Sequence, residues 1–195
     1  MIGRRLSKIF IVCVLATQTA IRAQHPPSPA PDYTPKIWKE FSSTEGWFRV
    51  RFPGTPKEGM ELKPRNIVLH SLTYGVGDFI FYSVTYRDLP SEKEARDYLK
   101  IVRETRLEGM GDKLKLISEK QTTRDGYPAL LLDFEVRPNR RFRELNVIRG
   151  ARHYNLLVIS YSNQPGAESA YAEIANSFLD SFHLIEPSIP KLGAN

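Results

Sequence analysis

Between Lys113 and Ser162 the chain holds four apolar-rich runs with almost nothing between them. The runs are Lys113–Thr123, Tyr127–Arg137, Phe142–Ala151 and Tyr154–Ser162. Their breaks are Asp125-Gly126, Pro138-Asn139-Arg140 and the corner Arg152-His153. A parallel connection needs a crossover of about a dozen residues or more, so gaps this short demand antiparallel neighbours. In the second run Leu132, Phe134 and Val136 alternate with Asp133, Glu135 and Arg137, the pattern of a strand with one wet face. Leu156-Leu157-Val158-Ile159 and Phe79-Ile80-Phe81-Tyr82 are apolar on both faces, so the sheet centre must be covered on both sides.

Other elements fall into place around this meander. Trp47–Phe52 alternates at period two and stops at the turn pair Pro53-Gly54. Phe48, Val50 and Phe52 read as its inward face, Arg49 and Arg51 as its outward one. Asn66–Tyr74 and Asp78–Arg87 flank Gly75-Val76-Gly77 and read as a hairpin. Ser91-Glu92-Lys93-Glu94 is a capping box, followed by Ala95, Tyr98, Leu99 and Val102 at helical spacing. Gly109-Met110-Gly111 ends that helix. A second helix is expected over Ala167–Ser181, with Tyr171, Ile174, Ala175, Phe178 and Phe182 on one stripe. The expected fold is α+β: a mainly antiparallel sheet of about seven strands with helices packed on both faces. A closed barrel with a helix across one mouth is the alternative.

Three stretches carry a resemblance: EGWFRVRFPGTP near the start, RDGYPALLLDFEV in the middle and AEIANSFLDSFHL at the end. In order and spacing they resemble the PsbP-like and DcrB-like superfamily of small α/β/α sandwich proteins, over nearly all of Lys36–Glu186. The matching pieces are strand and turn patterns rather than catalytic signatures. The resemblance implies an exported binding or accessory domain; it implies no active site, and no functional residue set of the family maps onto this chain.

The first residues read as an export signal. Arg4, Arg5 and Lys8 precede the apolar run Ile9–Ala16, and small and polar residues follow up to Ala23. That run is far shorter than the roughly 20 residues of a membrane span. Cleavage is expected after Ala23, with Ala20 as the alternative. Arg4-Arg5 hints at twin-arginine export, which the flanking Gly3, Leu6 and Ser7 fit poorly, so the route stays open. Cys13 follows Phe10-Ile11-Val12 inside the apolar run, so it reads as a passenger rather than a lipid attachment point. Gln24–Pro35 holds five prolines in twelve residues and reads as a tether. A single domain is expected over residues 36–186, with a loose tail over residues 187–195.

Removing the leader changes the charge. The chain has 28 basic and 22 acidic residues, and the leader holds four basic ones and no acid, which leaves a net of +2. An exported chain this close to neutral has neither the compartment nor the charge of a nucleic-acid binder. Cys13 is the single cysteine, so the mature chain has no disulfide, thiol nucleophile or cysteine metal ligand.

Little reactive chemistry is legible. His25, His70, His153 and His183 show neither H-x-H nor helical ligand spacing, so no metal site and no cofactor is expected. His153 reads as a polar residue at a strand corner. No G-x-S-x-G occurs, and no glycine-rich phosphate loop opens a helix. Asp133 and Glu135 point the same way about 7 Å apart. They share one strand face, so they read as solvated charges rather than an acid/base pair. No catalytic residue is assigned.

Arginine is the unusual feature. Arg137, Arg140, Arg141, Arg143, Arg149 and Arg152 fall within sixteen residues, opposed by Glu144 alone. Guanidinium forks suit carboxylate or phosphate, so these six form the candidate binding patch for another envelope protein or an anionic surface. The competing reading is a charge-protected hairpin edge, partly paired with Asp133 and Glu135. Trp38, Phe41, Trp47 and Phe48 read as core anchors of the first strand.

Function is therefore expected to be non-enzymatic binding or assembly at the cell envelope, in the periplasm or outside the cell. A carrier of a small apolar ligand and an enzyme with a dispersed site are the alternatives. Mass spectrometry of the exported protein should find an N-terminus at Gln24; a product retained with its first residues intact would contradict the leader.

Overall fold

A computed structural model describes residues 37–77, 80–136, 140–161 and 167–187. The leader, the tether, Arg137 and residues 188–195 of the tail lie outside them. Among the described residues there are ten strands and two α-helices. They are β1 (Lys39–Ser43), β2 (Phe48–Phe52), β3 (Lys57–Lys63), β4 (Ile67–Val76), β5 (Ile80–Asp88), α1 (Glu92–Met110), β6 (Leu114–Arg124), β7 (Tyr127–Val136), β8 (Arg140–Arg149), β9 (Arg152–Tyr161), α2 (Ala167–Asp180) and β10 (His183–Leu184).

All strand pairings are antiparallel. One sheet has seven strands in the order β3-β4-β5-β9-β8-β7-β6; a second has three, β1-β2-β10. Helix α1 carries the chain from β5 to the far edge at β6, and three hairpins bring it back until β9 pairs with β5. The turns follow from their residues. Asp125 (φ 50°) and Gly126 (φ 83°) join β6 to β7 as a two-residue hairpin loop. Gly150 (φ 59°) and Ala151 join β8 to β9, with Arg149 opposite Arg152. The corner expected at Arg152-His153 therefore lies two residues earlier, where glycine supplies the positive φ. The Ser91 hydroxyl accepts the amide of Glu94 at 3.2 Å and starts α1.

Seven strands were expected and the large sheet has seven, but the membership differs. The Trp47–Phe52 run belongs to the small sheet, and β3 takes its place at the edge of the large one. Strand β3, KEGMELK, has no buried face, with Met60 and Leu62 at 72 % and 69 % exposure. Its backbone pairing with β4 defines it rather than any apolar pattern.

Alternate residues of β7 pack in different clusters. Leu130, Leu132 and Phe134 meet Leu99 and Leu107 of α1. Ala129 and Leu131 belong to the cluster that holds Tyr171, Ile174 and Phe178 of α2. The second cluster also takes Phe48, Val50 and Phe52 of β2, with Arg49 and Arg51 turned out to water. Aromatic edges lock it: Phe178 sits 5.2 Å from both Phe52 and Tyr82, and Phe48 sits 5.4 Å from Phe182. At Gly46 a Cβ would collide with the Phe48 ring, and its carbonyl accepts the Tyr154 hydroxyl at 2.9 Å. Phe178→Ala should lower stability by about 3–5 kcal/mol in urea denaturation, whereas Met60→Ala should change it by less than about 0.5 kcal/mol. Equal losses at the two positions would contradict this packing.

Candidate functional site

Strand β8 divides the arginines. From Arg140 to Arg149 it spans about 30 Å, so Arg140, Arg141 and Arg143 stand at one end of the sheet and Arg149 and Arg152 at the other. Arg137 lies outside the described residues. Arg141 Nε donates to Asp133 Oδ1 at 3.1 Å, and Arg143 lies 3.5 Å from Asp133 Oδ2 while donating to Asn176 Oδ1 at 2.8 Å. Asp133 is thus buried at 6 % exposure and ion-paired, not solvated as its strand position suggests. The α2 face closes over it where the alternation alone leaves it wet. Exposed Arg140 places its guanidinium 4.8 Å over the Tyr161 ring.

At the other end both arginines fasten the fold. Arg152 grips Asp88 with two bonds of 2.6 and 2.8 Å and donates to the Glu45 carbonyl at 2.6 Å. The Asp88 carboxyl is held below its ordinary pKa by that bond. Arg149 donates to the Ile185 carbonyl at 2.7 Å and to Glu186 at 2.9 Å. Trp47 takes the two guanidinium groups at 5.8 and 4.2 Å. It is half-buried, with φ at 55°, and stands outside the core in which its neighbour Phe48 is fully enclosed.

A different cluster lies between α1 and the sheet. On β8, Glu144 and Asn146 alternate with apolar Leu145 and Val147; on β9, His153 and Asn155 alternate with Tyr154 and Leu156. All four polar side chains are buried. An isolated carboxylate there would be prohibitive, so it must be paired and hydrogen-bonded. Arg106 of α1 reaches Glu144 with its Nε at 3.3 and 3.1 Å from the two oxygens and a terminal nitrogen at 3.0 Å. Asn146 Nδ2 donates to Oε1 and Asn155 Nδ2 to Oε2, each at 3.3 Å. Asn155 also donates to Asn146 Oδ1 at 3.0 Å.

His153 completes the network. Its Nε2 donates to Asn146 Oδ1 at 3.0 Å, so the neutral ring carries its hydrogen there and leaves Nδ1 as an acceptor. Burial first, then the charges of Arg87 and Arg106, pushes its pKa down to about 3. Arg87 sits directly opposite His153 in the β5–β9 register and lies 5.1 Å over the Tyr98 ring, which in turn is 4.8 Å from the His153 ring. Burial lowers the pKa of this guanidinium. Its Nε is buried with no hydrogen-bond partner, and it makes no ion pair among the described residues. Beside it opens a cleft of about 230 Å³, walled by Leu69, Tyr98, Ile101 and Val102 and floored by Arg87, Arg106, His153 and the two asparagines.

The sequence reading missed this site because it put the β8–β9 turn at His153. The usable signal was E-x-N followed by H-x-N, polar residues at period two within otherwise apolar strands. His70 stacks on Tyr86 at 4.5 Å, and His183 lies 3.2 Å from Asp125; His25 lies outside the described residues. Among the described residues no group of three or more His, Cys, Asp or Glu side chains is placed to hold a metal, and no helix is long and apolar enough to cross a membrane.

The fold is PsbP-like. The solution structure of cyanobacterial PsbP from Synechocystis sp. PCC 6803 superposes with a TM-score of 0.51 at 13 % identity, covering 75 % of this chain and 92 % of that one. A Pseudomonas aeruginosa protein of unknown function, PA94, gives a TM-score of 0.39 at 16 % identity over 70 % of this chain and 92 % of its own. No protein-family profile matches the chain. No curated protein matches it either.

Native His153 resists protonation down to about pH 3, whereas the unfolded chain takes that proton near 6.5. Between those values the unfolded state binds more protons, so this group's stabilisation is present above 6.5 and is lost as pH falls through the window. Its slope is at most about 1.4 kcal/mol per pH unit. Urea denaturation across the acid range should show a shallower pH dependence for His153→Gln than for the native protein. Parallel curves would contradict a buried neutral histidine.

Proposed function

We propose that this chain is an exported, non-enzymatic binding module of the bacterial cell envelope, an accessory or assembly factor that takes its ligand in the cleft beneath α1. The charged and apolar N-terminal residues support export. The two clusters on alternate residues of β7 support an α/β/α layering, α1 over one sheet face and α2 over the other. Of the candidate arginines among the described residues, Arg140 is the exposed one, while Arg141 and Arg143 hold Asp133.

One observation carries the binding reading: the cleft's own acid and base are already engaged. Glu144 is enclosed by Arg106, Asn146 and Asn155. His153 donates to Asn146 and, with its pKa near 3, is a weak base at neutral pH. General acid–base catalysis works best with a pKa near the working pH. A purely apolar cargo suits the cleft less well, because Arg87 and Arg106 line it. The same perturbed histidine in a polar cleft favours an enzyme as the second reading.

NMR of the purified protein, titrated with the small-molecule fraction of an envelope extract, separates the two. A component that moves the His153 and Tyr98 signals and is recovered unchanged is the expected result. A component consumed by the native protein and not by His153→Gln would overturn the binding reading.

A further inference from the structure

We propose that the cleft beneath α1 binds a monocarboxylate with a short apolar body, its carboxylate paired with Arg87. This rests on the reading of the cleft as a binding site and names its ligand.

The charge inventory points to one anion. Arg106 and Glu144 neutralise each other, and hydrogen-bonded His153 is uncharged. The carboxylate next to Arg87 in sequence, Asp88, is held in a bidentate pair by Arg152 on the opposite face of β5. That leaves Arg87 as a half-buried cation with no ion pair among the described residues and a buried, unpartnered Nε. Removing a cation from water without a counter-charge is costly, and an incoming anion relieves that cost. A guanidinium edge presents two parallel N–H groups, the geometry of a carboxylate. A second negative charge, as on a phosphate dianion, would find no further uncompensated cation among the described residues that line the cleft.

The apolar walls define the rest of the ligand. Leu69, Ile101 and Val102 line the cleft, and Tyr98 covers Arg87. At about 230 Å³ the space lies below the roughly 300–1,000 Å³ of drug-sized sites, so the body must be small. Benzoate and octanoate have this shape and charge.

Calorimetric titration with benzoate, octanoate, octanamide and inorganic phosphate, with the His153 ring followed by NMR, tests the assignment. At least one of the two carboxylates should bind and move the His153 and Tyr98 signals. Octanamide and phosphate should bind at least about tenfold more weakly. Arg87→Met should lose carboxylate binding by a similar factor and melt no lower than the native protein, because an unpaired buried cation is gone. Amide binding equal to carboxylate binding, native affinity in Arg87→Met, or melting of that variant well below native would overturn the proposal. If an extract component still moves His153 while neither carboxylate binds, the ligand class falls and the binding reading stands. If nothing moves the cleft signals, both fall.

Discussion

A carboxylate in the middle of a β-sheet dictates much of what surrounds it. Glu144 is 1 % exposed on β8, flanked by β7 and β9. Its two oxygens require donors from several directions at once, and three elements supply them: Arg106 from α1, Asn146 from its own strand and Asn155 from β9. Breaking one partner of such a buried pair costs about 3–5 kcal/mol where both charges are enclosed. The Arg106 head is 40 % exposed, so water screens that side and the asparagine amides hold the inner one. The consequence is positional. Helix α1 is tied to the sheet at Arg106, and the space left between that tie and Arg87 is the cleft.

The cluster that takes α2 is built differently. There β2, β5, β9 and α2 meet through Phe48, Phe52, Tyr82, Tyr154, Phe178 and Phe182, all fully enclosed. Stability in this cluster comes from apolar area and aromatic edge contacts, with the tyrosine hydroxyls of residues 154 and 171 bonded to backbone carbonyls. A dry aromatic cluster can carry the fold while the space beneath α1 holds a polar network and a cation with no ion pair among the described residues. A protein with a single small core has no such division to exploit.

Sequence pattern reached the fold more easily than the site, for identifiable reasons. Asp125-Gly126, the Ser91 cap and the stripe from Tyr171 to Phe182 are local signals, and each appears where its residues put it. Strands β1, β3 and β10 escaped because polar edge strands carry no alternation and are defined by the partner they pair with. Asp133 looked solvated because periodicity assigns it a face and not what covers that face; Arg141, Arg143 and α2 do so. Trp47 was grouped with the core because its neighbour belongs there, yet at φ 55° it turns out to stack with Arg149 and Arg152. The clustered arginines in the sequence become two separate groups in space, since one strand length lies between them. The cleft was hidden by a two-residue error at Gly150, which placed His153 on a corner instead of opposite Arg87.

Arg87 is half-buried and has no ion pair among the described residues. Arg106, Arg141, Arg143, Arg149 and Arg152 each meet a carboxylate within the fold. Arg87 meets an aromatic ring and a neutral histidine, in a cleft with apolar walls. A crystal structure of the protein grown with saturating benzoate tests this most directly. The carboxylate oxygens should lie within hydrogen-bond distance of the Arg87 guanidinium, beneath α1. Benzoate bound beside Arg140 or elsewhere on the surface, with the cleft holding only solvent, would contradict it.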